Sequence, residues 1–181
     1  DYSTIFKGNK ATFYEGGVRV PFAIKWPKGI KPGTEYDGLV STLDMLPTFV
    51  SLAQVPLPSD RQYDGQDILA VIAGEAKDSR EAHFWRNGAW RAARAGDWKL
   101  VWQSNKKKQK ALLNQLGIKH VKGRGVSYAE RGDELFLEPE LYNLANDSKE
   151  EHNLAQSNPE KLQEMIKVYK DWEATIPKWR E

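Results

Sequence analysis

Hydrophobic and polar positions divide this chain into segments of different period. Residues 1–18 are polar and dotted with glycine, which predicts a loop. An apolar run at 20–26, broken only by Pro21 and Lys25 and closed by Pro27 and Gly29, predicts a buried strand. After a turn-rich stretch, Leu46, Phe49, Val50 and Ala53 fall on one face behind the cap candidates Ser41, Thr42 and Asp44. A helix is therefore predicted over 44–53, with Pro47 tolerable only near its first turn. A second short helix is predicted just before Gly74. From residue 81 the pattern becomes strand-like. Three antiparallel strands are predicted near 81–86, 89–95 and 98–103, turned by Asn87-Gly88 and Gly96-Asp97, with a fourth at 140–145. The intervening 104–135 stretch, with one short helix near 109–116, is long for a sheet connection and is expected to be functional or mobile. Toward the end, Asn158 can cap, Pro159 suits a first helical position, and Leu162, Met165, Ile166, Tyr169 and Trp172 repeat at helical spacing until Pro177. That face is expected to lie across the antiparallel sheet.

Composition narrows the choices. Of 181 residues, 27 are Lys or Arg and 25 are Asp or Glu, a net charge of +2 that argues against a nucleic-acid partner. No stretch approaches the ~20 apolar residues of a membrane span, and no signal peptide opens the sequence. With no Cys, these residues hold no disulfide, no thiolate metal site and no cysteine nucleophile. The seven Trp suggest flat aromatic surfaces shared between core and groove. Because the chain opens on Asp1 rather than Met, it is expected to be a piece of a longer protein.

Five stretches carry a resemblance: GNKATFYEGGVRVPFAIKWP, LVSTLDMLPTFVSLA, YDGQDI, AARAGDWKLV and LYNLANDSKEEHNLA. Any one alone is weak. In this order, over nearly the whole chain except 104–135, they resemble the C-terminal part of a type I sulfatase. The resemblance implies the C-terminal part of an alkaline-phosphatase-like α/β enzyme (α+β within this chain), with a small four-stranded antiparallel sheet packed by a long C-terminal helix. Residues 1–75 would be a remnant of the large catalytic domain, and 76–181 the C-terminal subdomain. The full-length family member is expected to use calcium and a formylglycine made from a Cys or Ser in a Cys/Ser-x-Pro-x-Arg motif. Its substrate would be a sulfated small molecule or carbohydrate, and the protein would be periplasmic, secreted or otherwise exported. Neither the nucleophile motif nor the family's acidic metal pairs occur here, and Asp1-Tyr2 does not match the last of those pairs. The chain alone is thus expected to need the N-terminal part of its polypeptide, to be inactive, and to bind no metal.

Residue by residue, the resemblance makes Lys10 the lysine that contacts the substrate sulfate, five positions before Glu15. An ammonium is a compact point charge suited to an oxyanion, although the ordinary fate of a loop lysine is solvation. The family often has Gly before this lysine; here it is Asn9, which tolerates left-handed backbone. Glu15, Gly16, Gly17 and Arg19 are expected to support that loop, the glycines by positive φ or close approach and Glu15 with Arg19 as an ion pair. His83, Trp85 and Arg86, with Trp90 and Arg94, could form a substrate rim, set against plain strand alternation. The Lys-rich run at 106–110 could meet a polyanion but more often is a solvated face. His120 and His152 have no ligand-spaced partners in the sequence. Two further expectations follow: self-association through an edge strand at 20–26, and a rival reading as a non-catalytic module that binds sulfated polyanions.

Overall fold

A computed structural model describes residues 5–87, 90–102 and 138–176. The expected features at 88–89, 104–135 and 177 lie outside these residues. Among those described, the chain forms two compact units, residues 1–20 with 81–181, and residues 21–80.

The first unit is built on a four-stranded antiparallel sheet in the order β1 (His83–Asn87), β2 (Trp90–Ala95), β3 (Trp98–Trp102), β4 (Pro139–Asn143). Gly96 makes the tight β2–β3 turn at φ +56°, backbone that glycine adopts without a Cβ penalty. The register places Phe84, Ala93, Leu100 and Leu141 side by side across all four strands, so they share one face. Against that face lies the long C-terminal helix, Pro159–Thr175. Met165 and Tyr169 are buried there with Ala93, Leu100 and Leu141, while Phe84, Leu162, Ile166 and Trp172 pack around them. Phe84 stacks on Trp172 with ring centroids 4.5 Å apart. Pro159 occupies the first turn as expected, but the Asn158 side chain makes no cap hydrogen bond and instead accepts from the Ser157 hydroxyl. Trp172→Ala should lower the unfolding free energy by about 3 kcal/mol, whereas the exposed Lys170→Ala should change it by less than about 0.5 kcal/mol. Urea titrations of both variants check this; equal, small shifts would mean the helix is not seated by its aromatic face.

The opposite sheet face carries Trp85, Ala92, Val101 and Tyr142, with Phe13, Tyr14 and Leu144 packed against them. The N-terminal segment therefore packs on the sheet rather than standing apart from it. Its one helical turn, α1, spans Glu15–Val18.

The second unit corrects two expectations. Residues 20–26 form no strand, and Val20 and Phe22 are exposed. Pro21 and Pro27 offer no backbone donor, and no other described segment forms a ladder with this run, so an apolar pattern alone cannot make it a strand. The sheet edge through which self-association was expected is absent with it. The helix near 44–53 does form, as a 3₁₀ turn at Thr42–Asp44 continuing into α2 (Met45–Leu52). Ser41 and Asp44 make a reciprocal capping box, the Ser41 N–H donating to the Asp44 carboxylate at 2.7 Å. Its orientation is the reverse of the expected one. Asp44, Pro47 and Thr48 are buried, while Leu43, Leu46, Phe49 and Leu52 are exposed. Polar satisfaction explains this: Asp44 accepts from the Gln66 N–H and the Arg80 guanidinium, and Thr48 accepts from the Ile68 N–H at 3.2 Å. Gly65 permits that approach, since a Cβ there would lie 2.0 Å from the Leu43 carbonyl oxygen. The last helix of this unit, α3 (Leu69–Ile72), ends at Gly74 with φ +76°. With α3 counted, the helix at Pro159–Thr175 is α4.

Candidate functional site

The site is built where the N-terminal segment crosses the sheet. Residues 9–12 form a tight turn: the Thr12 N–H donates to the Asn9 carbonyl at 3.0 Å, the Thr12 hydroxyl donates to the same carbonyl at 2.7 Å, and the Asn9 N–H donates back to the Thr12 hydroxyl. Lys10 stands at the tip of this turn and is exposed. Among the described residues it makes no hydrogen bond or ion pair. The left-handed backbone expected at Asn9 falls instead on Gly8 (φ +85°) and Ala11 (φ +69°), the two residues flanking the Asn9-Lys10 pair. For Ala11 that conformation costs about 1–2 kcal/mol, so the turn is held by its surroundings rather than by local preference.

Those surroundings begin with the glycine pair. A Cβ on Gly16 would lie 2.6 Å from the Lys7 carbonyl oxygen and 2.8 Å from that of Gly8. One on Gly17 would lie 2.1 Å from the Thr12 carbonyl and 2.6 Å from that of Asn9. Close backbone approach, not positive φ, is what requires glycine here. The turn bearing Lys10 thus rests directly on α1. The anticipated Glu15–Arg19 pair exists at 3.9 Å, with Arg19 half-exposed.

A stronger contact was not read from the sequence. Lys99, fully buried on β3, donates to Glu15 at 2.6 Å and lies 3.0 Å from the Glu150 carboxylate. Glu150, also fully buried, accepts the Glu15 backbone N–H at 2.6 Å and takes a left-handed φ of +58°. One cation thus joins two carboxylates brought from the two ends of the chain. Burial pushes the Glu150 carboxyl up, with the Glu15 charge adding to the rise, while Lys99 and the Glu15 N–H oppose it. Between the ordinary Glu value and the raised one, the folded chain keeps a proton that the unfolded chain has released, so stability falls as pH rises through that window. Melting temperatures from pH 4 upward should therefore show Glu150→Gln gaining on the wild type as pH increases. A difference independent of pH would mean that Glu150 does not titrate this way.

A second cluster lies alongside. Lys7 donates to the Tyr142 hydroxyl at 2.6 Å and to Glu140 at 3.2 Å, and its ammonium lies 4.3 Å from the centroid of the Tyr14 ring. Tyr14 and Tyr142 both donate to Glu140. Burial first, then Glu140, raises both phenols above their ordinary range, so they remain neutral donors.

The proposed rim divides. His83 and Trp85 share the sheet face that the N-terminal segment covers, their rings 4.6 Å apart, and the Lys99 ammonium lies 5.9 Å from the Trp85 centroid. Arg94 and Lys99 stand in the same cross-strand row as His83, with Arg94 bonded to the Gly96 carbonyl. Arg86 points to the other face and pairs with Glu173 of α4 at 3.7 Å. His152 does have neighbours: its Nδ1 lies 3.7 Å from Asp147, with Glu151 close by. The Asp147 carboxylate already accepts the Glu151 and His152 N–H groups, and the trio lies at the surface. A separate cavity of about 700 Å³ among residues 22–37, Val40 and Ile72 contains none of the expected site residues.

Four carboxylates, Glu15, Asp44, Glu140 and Glu150, are already engaged and so fit calcium poorly. A calcium ion wants six to eight oxygen ligands. Glu15 and Glu150 serve Lys99, Glu140 serves Lys7 and two tyrosines, and Asp44 serves Arg80 and two backbone N–H groups.

Comparison with known proteins follows the same outline. The family described as N-sulphoglucosamine sulphohydrolase, C-terminal, matches residues 6–171. The chain is 30% identical over 165 residues to an N-acetylgalactosamine-6-O-sulfatase of Bacteroides thetaiotaomicron, covering 91% of this chain and 29% of that protein. It is 33% identical over 167 residues to human arylsulfatase A, covering 89% and 32% respectively. A solved structure concerned with glycosaminoglycan metabolism by Bacteroides thetaiotaomicron superposes with a TM-score of 0.67 at 26% identity, over 93% of this chain and 32% of the other. The chain therefore spans about a third of the length of these relatives.

Proposed function

This chain belongs to the sulfatase family, matching its C-terminal region, and from that premise we propose that it supplies one wall of a sulfate-ester hydrolase site through Lys10. The observation that carries the reading is a lysine exposed at the tip of a turn, without a partner among the described residues, while the backbone beneath it is tied to a sheet by buried charges. A cation kept open on a rigid support suits an oxyanion that arrives with the substrate.

Calcium and formylglycine would be held by parts of the polypeptide outside these residues, where formylglycine supplies the nucleophile and calcium offsets the charge of the sulfate. Within this chain, Lys10 would donate to a sulfate oxygen and strengthen that contact as charge builds there. Sulfated carbohydrate is the favoured substrate class. It rests on similarity to an N-acetylgalactosamine-6-O-sulfatase over nearly the whole chain, whereas likeness to human steryl-sulfatase, though 43% identical, covers only 75 residues. Any contribution of His83 and Trp85 to a sugar rim would come from the face on which the N-terminal segment packs, where His83 is buried, and any contribution of Arg86 from the opposite face.

The test compares the 181-residue chain with the intact polypeptide that carries it, on a small aryl sulfate with calcium present. The intact protein should turn over and the chain alone should not. Turnover by the purified chain, abolished by a substitution within it, would overturn the reading. So would an intact protein that binds sulfated polymers but cleaves no sulfate ester, the behaviour of a non-catalytic binding module.

A further inference from the structure

Taking Lys10 as the sulfate-contacting residue, we propose that Glu150 and Lys99 are its positioning residues, holding α1 at the height from which the 9–12 turn presents the ammonium. The path is continuous and short. Lys99 on β3 binds Glu15 at 2.6 Å and approaches Glu150 at 3.0 Å. Glu150 takes the Glu15 N–H at 2.6 Å, so it fixes the α1 backbone itself and not merely a side chain. From Glu15 the position passes through Gly16 and Gly17, whose α-carbons rest against the carbonyls of Lys7, Gly8, Asn9 and Thr12 with no room for a methyl group. A displacement of α1 is therefore a displacement of the turn around Lys10.

Two observations separate this arrangement from ordinary core packing. Left-handed backbone occurs at both ends of the path, at Ala11 beside Lys10 and at Glu150 beneath α1, neither of them glycine. Strain of that kind persists only where the surrounding contacts enforce it. The central groups are also charged and fully buried, a costly way to fill space but an accurate way to fix a position. The groups facing Glu150 are Lys99 from the sheet and Glu15 from α1, with Tyr14 and Tyr142 nearby and Arg19 reaching Glu15 from outside.

The experiment separates reach from charge in the intact polypeptide. Glu150→Asp keeps the charge, tolerates the left-handed backbone, and withdraws the carboxylate from the Glu15 N–H. Glu150→Gln keeps the reach and loses the charge. Misplacing a reacting contact by about 1 Å can cost up to ~10²-fold, so Glu150→Asp should lower kcat on an aryl sulfate by ~10-fold or more, and Glu150→Gln by no more than ~3-fold. In a Lys10→Ala background the Glu150→Asp effect should shrink below ~2-fold, because a positioning residue has nothing left to position. Amide exchange over residues 9–17 should accelerate in Glu150→Asp while exchange in the sheet does not. Equal losses in the Asp and Gln variants, or an Asp loss of the same size without Lys10, overturn the proposal. If Lys10→Ala is impaired but Glu150→Asp keeps wild-type kcat, only the positioning role falls. If Lys10→Ala itself keeps wild-type kcat, the sulfate-contact reading falls and takes this proposal with it.

Discussion

Lys99→Met should be among the most destabilising single substitutions in the described residues, costing about 3–5 kcal/mol. The reason is not the loss of an attraction by itself. Lys99 and Glu150 are fully buried and Glu15 nearly so, at 0%, 0% and 3% exposure. Removing Lys99 leaves two buried carboxylates whose remaining counter-charge is the half-exposed Arg19, 3.9 Å from Glu15 and screened by solvent. Against a typical margin of 5–15 kcal/mol, that is a large share of the stability of a domain. Lys7→Met is the control. Lys7 also pairs with a glutamate, but its side chain is 37% exposed and Glu140 keeps two tyrosine donors, so its loss should cost no more than about 1 kcal/mol. Urea unfolding near neutral pH should separate the two variants clearly. In acid, where the raised Glu150 carboxyl keeps its proton, the Lys99→Met penalty should shrink. A penalty that is equally large in acid would mean that lost packing, rather than stranded charge, is responsible.

The same triad marks the limit of what the sequence reveals. Strand alternation and turn residues locate the four strands within a few residues, because hairpins are local and glycine at Gly96 is demanded by its φ. The spacing of Leu162, Met165, Tyr169 and Trp172 locates α4 and the face it buries, because one periodic signal decides both. Lys99 gives no such signal. It alternates with Trp98 and Leu100, so a strand with one wet face is the natural inference, and its partners lie 84 and 51 positions away. Only the N-terminal segment folding over that face makes it an interior position. The 3₁₀ turn and α2 show the opposite error. The apolar spacing of Leu46 and Phe49 locates the helix correctly but suggests the wrong buried side, since Asp44 and Thr48 find backbone and arginine partners that outweigh the burial of leucine. At 20–26 an apolar run reads as a strand although two prolines, and the lack of a ladder partner among the described residues, deny it one. At the Lys10 turn the strained position is Ala11 rather than Asn9, a detail set by the glycine pair beneath it.

The second large effect concerns Lys10. Its side chain supports no packing, being exposed and without a partner among the described residues, so its removal should leave stability unchanged. Its contribution would appear only as charge builds on the sulfate in the transition state. Removing one preorganised charge-stabilising donor costs ~10²–10³-fold in turnover. Arginine at this position would keep the charge but present a planar fork in place of a compact ammonium, so Lys10→Arg should recover only part of the loss. The deciding measurement is steady-state turnover of a small aryl sulfate by the intact polypeptide and its Lys10→Ala variant, with a melting curve for each. The expected result is a ~10²–10³-fold fall in kcat at an unchanged melting temperature. A Lys10→Ala enzyme with near-wild-type kcat would contradict it and leave Lys10 an ordinary solvated lysine.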